Sequence, residues 1–171
     1  LNNKDLPGPN KLFIAGYCCH LQADQVWLDL IFNPYFGLDA DWAPIKERAY
    51  IHNVFRTWHD LQVFHTIIEP GRKFLSNMQG SDFLPFLDDA TLDKWRKYLF
   101  EQLNLESSQK TALIFAKRLG IDPEEFIELL ESEDRLQNEV FSRVPEYIIE
   151  KYITLVVEKN SKFLFKYLTE I

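Results

Sequence analysis

Cysteine, methionine and glycine are scarce in this chain: its 171 residues include two cysteines, one methionine and six glycines. The two cysteines, Cys18 and Cys19, are adjacent, and on a helix their side chains diverge by about 100°, which is poor geometry for a mutual disulfide. A disulfide-stapled scaffold is therefore excluded, and both read as reduced core residues. That usage, with no recognisable signal peptide, sets the expectation of a cytoplasmic protein. The chain opens Leu1-Asn2-Asn3-Lys4 without a methionine, so an upstream segment is expected to be missing.

Long hydrophobic runs are also lacking. Gln22, Asp24 and Asp29 interrupt the most apolar stretch well before the roughly 18–20 residues that a membrane span needs, so no transmembrane segment is expected. Positive charge is short, with 19 Lys and Arg against 26 Asp and Glu and a net charge of −7. Nucleic-acid surfaces of the electrostatic kind depend on concentrated Lys and Arg, so a nucleic-acid partner is excluded by charge. A phosphate-bearing substrate would need local positive charge, which a bound metal would provide. The chain has no GxSxG elbow, glycine-rich phosphate loop, CxxC pair or HExxH helix. The acidic run PEEFIELLESEDR reads as a solvated face.

What is present is apolar and aromatic: 46% of residues are hydrophobic, including 14 Phe, seven Tyr and four Trp. This is ample material for one core and short for two, so a single domain over residues 1–171 is expected. Strand signals are weak throughout, and the periodicity predicts an all-α bundle of six or seven helices. Helices are expected over about Lys11–Phe32, stopped by Pro34, and Ile45–Ile68, stopped by Pro70-Gly71. The next are expected over about Asp89–Asn104, Ser107–Leu119 with Gly120 as cap, and Asp122–Glu131 with Pro123 in its first turn. The last two fall over Asp134–Val144 and Pro145–Leu168.

The polar residues that break this pattern are the candidate chemistry. Phe13, Gly16, Tyr17, His20, Asp24, Trp27 and Ile31 share an arc of roughly 100° on the first helix, which places His20 and Asp24 inward. A buried carboxylate needs a proton, cation or metal to meet it. On the second helix His52, Arg56, His59 and Asp60 share a face opposite Ile51, Val54, Phe55, Trp58 and Leu61. This face either meets solvent or turns toward the first helix. If the two helices pack antiparallel, His20, Asp24, His52 and Asp60 meet across one cleft and match the ligand chemistry of zinc, with manganese or iron as alternatives. His65 lies off this face.

The run LFIAGYCCHLQADQVWLDLIFNPYFG resembles the segment of bacterial zinc-dependent phospholipase C-like proteins in which a Gly-Tyr and a His, with an Asp four residues on, precede an aromatic. HNVFRTWHDLQVF is similar to the second helix of shorter members, and the resemblance covers residues 7–64. It implies a helical metallohydrolase whose zinc activates water against a phosphodiester, with His20 and Asp24 matching the metal-ligand pair. His52 and Asp60 extend that set, Asp60 or His59 would serve in proton transfer, and Arg56 would contact phosphate. The expected substrate is a small phosphoester or phospholipid. The competing reading is a non-catalytic helical scaffold or interaction protein in which His20 and Asp24 form a buried structural pair. Composition leaves the oligomeric state open.

Overall fold

A computed structural model of the chain describes residues 8–78, 87–103, 116–117 and 120–169. Among these, the structure is all-α, as the periodicity predicts, and no helix is long and apolar enough to cross a membrane. Helix α1 spans Gly8–Trp27 and passes directly into a π-helical segment, Leu28–Phe36. Then follow α2 (Ile45–Asn77), α3 (Asp89–Gln102), α4 (Pro123–Glu131) and the single turn α5 (Glu133–Arg135). A second π-helical segment, Leu136–Phe141, follows, and α6 (Ile148–Thr169) ends the described chain.

Pro34 does not stop the first helix as expected but lies inside the π-helical segment. A proline ring clashes with the carbonyl four residues back in an α-helix, and the wider i→i+5 turn moves that carbonyl away. The segment closes where the Gly37 N–H donates to Phe32 O at 2.7 Å. A Cβ on Gly37 would fall 2.8 Å from Asn33 O, so glycine permits this approach. Buried Arg48 of α2 donates to the Gly37 carbonyl and pins the corner from the other side.

Pro70 and Gly71 likewise fail to end α2, which runs on to Asn77. Tertiary packing outweighs the local break. Arg72 Nη1 donates to Leu103 O at 2.9 Å and its guanidinium lies 4.2 Å over the Phe100 ring, while Arg96 Nη1 of α3 donates to Leu75 O at 2.8 Å. Gly71 packs directly on Leu103. The Asp88 side chain accepts from Thr91 N at 2.8 Å at the start of α3, and Asp122 from Glu124 N at 3.0 Å at the start of α4. Gly120 takes φ +66°, the left-handed conformation expected of a helix C-cap, but most of the Ser107–Leu119 helix it was expected to close lies outside the described residues.

The core gathers around the first half of α2. Ile51, Val54 and Phe55 pack with Ile31 and Phe36 of the first π-helical segment, Phe126 and Leu129 of α4, Leu136 and Val140 of the second π-helical segment, and Ile148 and Ile149 of α6. The expected apolar face of α2 is the observed one. Helices α1 and α6 pack along each other, with Asn160 Nδ2 donating to Cys19 O at 3.3 Å. Cys18 and Cys19 are unpaired as expected but only half-buried, a correction to their placement in the core.

Candidate functional site

The inward stripe expected from Phe13 to Ile31 is buried only at its far end, where Ile31 is 0% exposed and Trp27 packs on the core. Ala15 and Val26, 1% and 3% exposed, mark the face that packs, and Gly16, Tyr17, His20 and Asp24 are exposed. At 100° per residue Ala15 and Val26 nearly superpose, whereas His20 and Asp24 lie more than 100° away. His20 Nε2 and Asp24 Oδ2 are 3.4 Å apart, with 69% and 58% of their side chains accessible. The pair therefore sits on the surface, and both the inward-facing expectation and its structural-pair alternative are corrected.

Nevertheless, the polar face of α2 turns toward α1. Asp24, Trp27, Leu28 and Phe32 from the first two segments, His52, Arg56, His59 and Asp60 from α2, and Tyr152 from α6 line one cleft of ≈ 540 Å³. Of the six residues singled out from sequence, five share this cleft, while His20 is not among its lining residues and reaches it only through Asp24. The convergence arises because α2 packs against the π-helical segment that continues α1, so the polar stripe of α2 meets the last turn of α1. Its volume lies in the range of small-molecule sites.

His52 is fixed at the back of the cleft. Trp27 Nε1 donates to its Nε2 at 3.0 Å, which makes Nε2 the acceptor and leaves the ring proton on Nδ1. Phe36, Phe32 and Trp27 surround the imidazole with centroids at 5.0, 5.1 and 5.9 Å. Burial, with the neighbouring Arg56 charge adding to it, pushes the His52 pKa down to about 4, so the ring is neutral at physiological pH. Burial also lowers His59, against the pull of Asp60.

Asp60 keeps contact with solvent at the mouth but is crowded enough that desolvation raises its carboxyl, opposed by the Arg56 and His59 charges. Tyr152 packs edge-on against Trp27 at 5.1 Å. Its hydroxyl is raised first by burial and then by the charges of Asp24 and Asp60, and so stays protonated.

The donor set does not fit a bound zinc, manganese or iron ion as the helices stand. Among the described residues no group of three or more His, Cys, Asp and Glu side chains comes together to hold one. The His52 lone pair that would bind a metal is already engaged by the Trp27 N–H. Comparison with known proteins finds no matching family model, no matching curated protein and no matching solved structure.

Trp27, Phe32 and Tyr152 were not singled out as site residues. Trp27 and Tyr152 read as apolar-face positions of their own helices, and nothing local in the sequence places Tyr152, some ninety residues beyond Asp60, beside it.

Proposed function

We propose that the cleft binds a small phosphodiester and hydrolyses it, with His59 and Asp60 as the proton-transfer groups and Arg56 meeting the phosphoryl oxygens. The observation that carries this reading is the convergence of Asp24, His52, Arg56, His59 and Asp60 with Tyr152 in one cleft of small-molecule size. The cleft holds one more carboxylate than cation, which repels a dianionic monoester more than a singly charged diester. His59, shifted down by burial, is neutral near pH 7 and free to take a proton from attacking water. The Asp60 carboxylate beside it holds the imidazolium that forms, that proton then passes to the leaving alkoxide, and Tyr152, held protonated, donates a hydrogen bond to the departing oxygen.

A metal-dependent version of the same reaction needs a third ligand beyond Asp24 and Asp60, so zinc, manganese and iron enter as arms of the test rather than as parts of the mechanism. Turnover of bis(p-nitrophenyl) phosphate is measured at neutral pH with chelator and then with each metal. His59→Gln and Asp60→Asn are each expected to lower it by at least about 100-fold. Turnover in chelator supports the metal-free form, and turnover only with metal supports the metal-dependent one. No turnover under any condition ends the hydrolase reading.

A second reading, the non-catalytic scaffold, has one specific observation in its favour. A part-buried hydrogen bond between Trp27 and His52 joins two helices, whereas His20 and Asp24, the pair that reading named, stand mostly in water.

A further inference from the structure

Of the four polar residues that α2 brings to the cleft, Arg56, His59 and Asp60 have parts in the proposed reaction and His52 has none. Trp27 Nε1 donates to its Nε2 at 3.0 Å, and an accepting ring nitrogen carries no proton, so the imidazole is neutral with its one N–H at Nδ1. Among the described residues no hydrogen bond leaves Nδ1, and this nitrogen is not one of the buried polar atoms without a partner, so its N–H meets accessible space. Trp27, Phe32 and Phe36 surround the ring, and the space that His52 lines is the cleft.

Arg56 follows His52 by one helical turn, which makes the two side chains neighbours along the cleft. A phosphoryl group between such neighbours presents one oxygen to each. A second cation at this distance would be repelled by the guanidinium, whereas a neutral N–H adds a hydrogen bond without that cost.

We propose that His52 is a catalytic residue of the cleft, a neutral donor whose Nδ1–H meets a non-bridging phosphoryl oxygen beside Arg56. This role rests on the phosphodiester reading of the cleft and adds to it the group that meets charge as it builds on that oxygen. The donor is aimed before substrate arrives, because the Trp27 hydrogen bond and the surrounding aromatic rings fix the plane of the imidazole and its tautomer. A donor prepared in this way acts most strongly in the transition state, so its loss falls on kcat more than on KM.

Long-range 1H–15N spectra of the four histidine rings in the intact chain read tautomer and contact together, with dimethyl phosphate as the probe. The His52 ring is expected to carry its proton on Nδ1 before the probe is added, and its Nδ1 resonance to move saturably afterwards. Two substitutions then separate catalysis from packing in the turnover of bis(p-nitrophenyl) phosphate. His52→Gln keeps an acceptor where Nε2 meets Trp27 and removes the Nδ1 donor, and is expected to lower kcat about 100-fold with KM within about twofold. His52→Asn places an amide donor where Nδ1 stood and gives up the Trp27 acceptor, and is expected to keep kcat within about tenfold of the parent despite lower stability. A purely structural histidine predicts the reverse order, and that order overturns the assignment. A ring protonated on Nε2, a saturable shift at His59 with none at His52, or an unchanged kcat in His52→Gln also overturns it while the diester reading stands. No shift at either ring, together with no turnover by the parent, removes both.

Discussion

Two polar pairs, one across helices and one within a helix, meet different fates. Trp27 and His52 join α1 to α2 through a hydrogen bond enclosed by Phe32, Phe36 and Tyr152, whereas His20 and Asp24 lie one turn apart on α1 and stand mostly in water. Sequence spacing favours the second pair, since i and i+4 are neighbours on any helix. The first pair depends on where α2 returns, so no local pattern announces it. The difference teaches that the pair written most clearly in the chain is the one with least effect on the fold.

The largest effect should follow from breaking the interhelical pair. His52→Ala removes a ring packed against three aromatic side chains and leaves a half-buried indole N–H unpaired. Together these are expected to lower unfolding free energy by about 4 kcal/mol in urea melts. Trp27→Phe keeps an aromatic ring and loses only the donor, for which about 1 kcal/mol is expected. Equal, small losses in both variants would mean that His52 is held by shape alone.

Acid should act on the same pair. The folded His52 pKa lies near 4, below the roughly 6.5 of an unfolded histidine, so between these values the unfolded chain binds a proton that the folded chain refuses. Stability is therefore complete above about pH 6.5 and falls as pH drops toward 4, by up to about 3 kcal/mol. Melts of the parent and His52→Gln across this range separate His52 from the other titrating groups, because the variant should lose most of the dependence. An undiminished slope in His52→Gln would place the acid sensitivity elsewhere.

The parts of this architecture that were legible in sequence are those set by one helix at a time. The Ile51, Val54, Phe55 face of α2 and the Gly120 turn follow from periodicity and backbone preference, which need no partner. The shared polar face of His52, Arg56, His59 and Asp60 was legible for the same reason. The failures at Pro34 and Pro70 share a cause: in each case a local break was overridden, once by π-helical geometry and once by Arg72 and Arg96 binding α2 to α3. The inward side of α1 was misjudged because its packing face carries small Ala15 and Val26, which weigh less in a pattern than Phe13, Tyr17 or Trp27 on the adjacent arc. Tyr152 reaches the cleft from a distant helix, and the His52 tautomer is set by a tryptophan on another helix. Neither property is visible in a sequence.

The smallest expected effect belongs to the pair that the sequence displays most openly. An exposed polar pair gains little in water and restrains two side chains, so His20→Ala with Asp24→Ala should change stability by less than about 0.5 kcal/mol. Asp24 nevertheless lines the cleft while His20 does not, and this separates their functional weight. Asp24→Asn alone is expected to alter phosphodiester turnover, and His20→Gln alone to leave it unchanged. A loss of activity in both single variants, with stability intact, would return His20 to the site and require the α1 surface to bend toward the cleft when substrate binds. Loss in neither would confine the chemistry to α2 and reduce Asp24 to a wall.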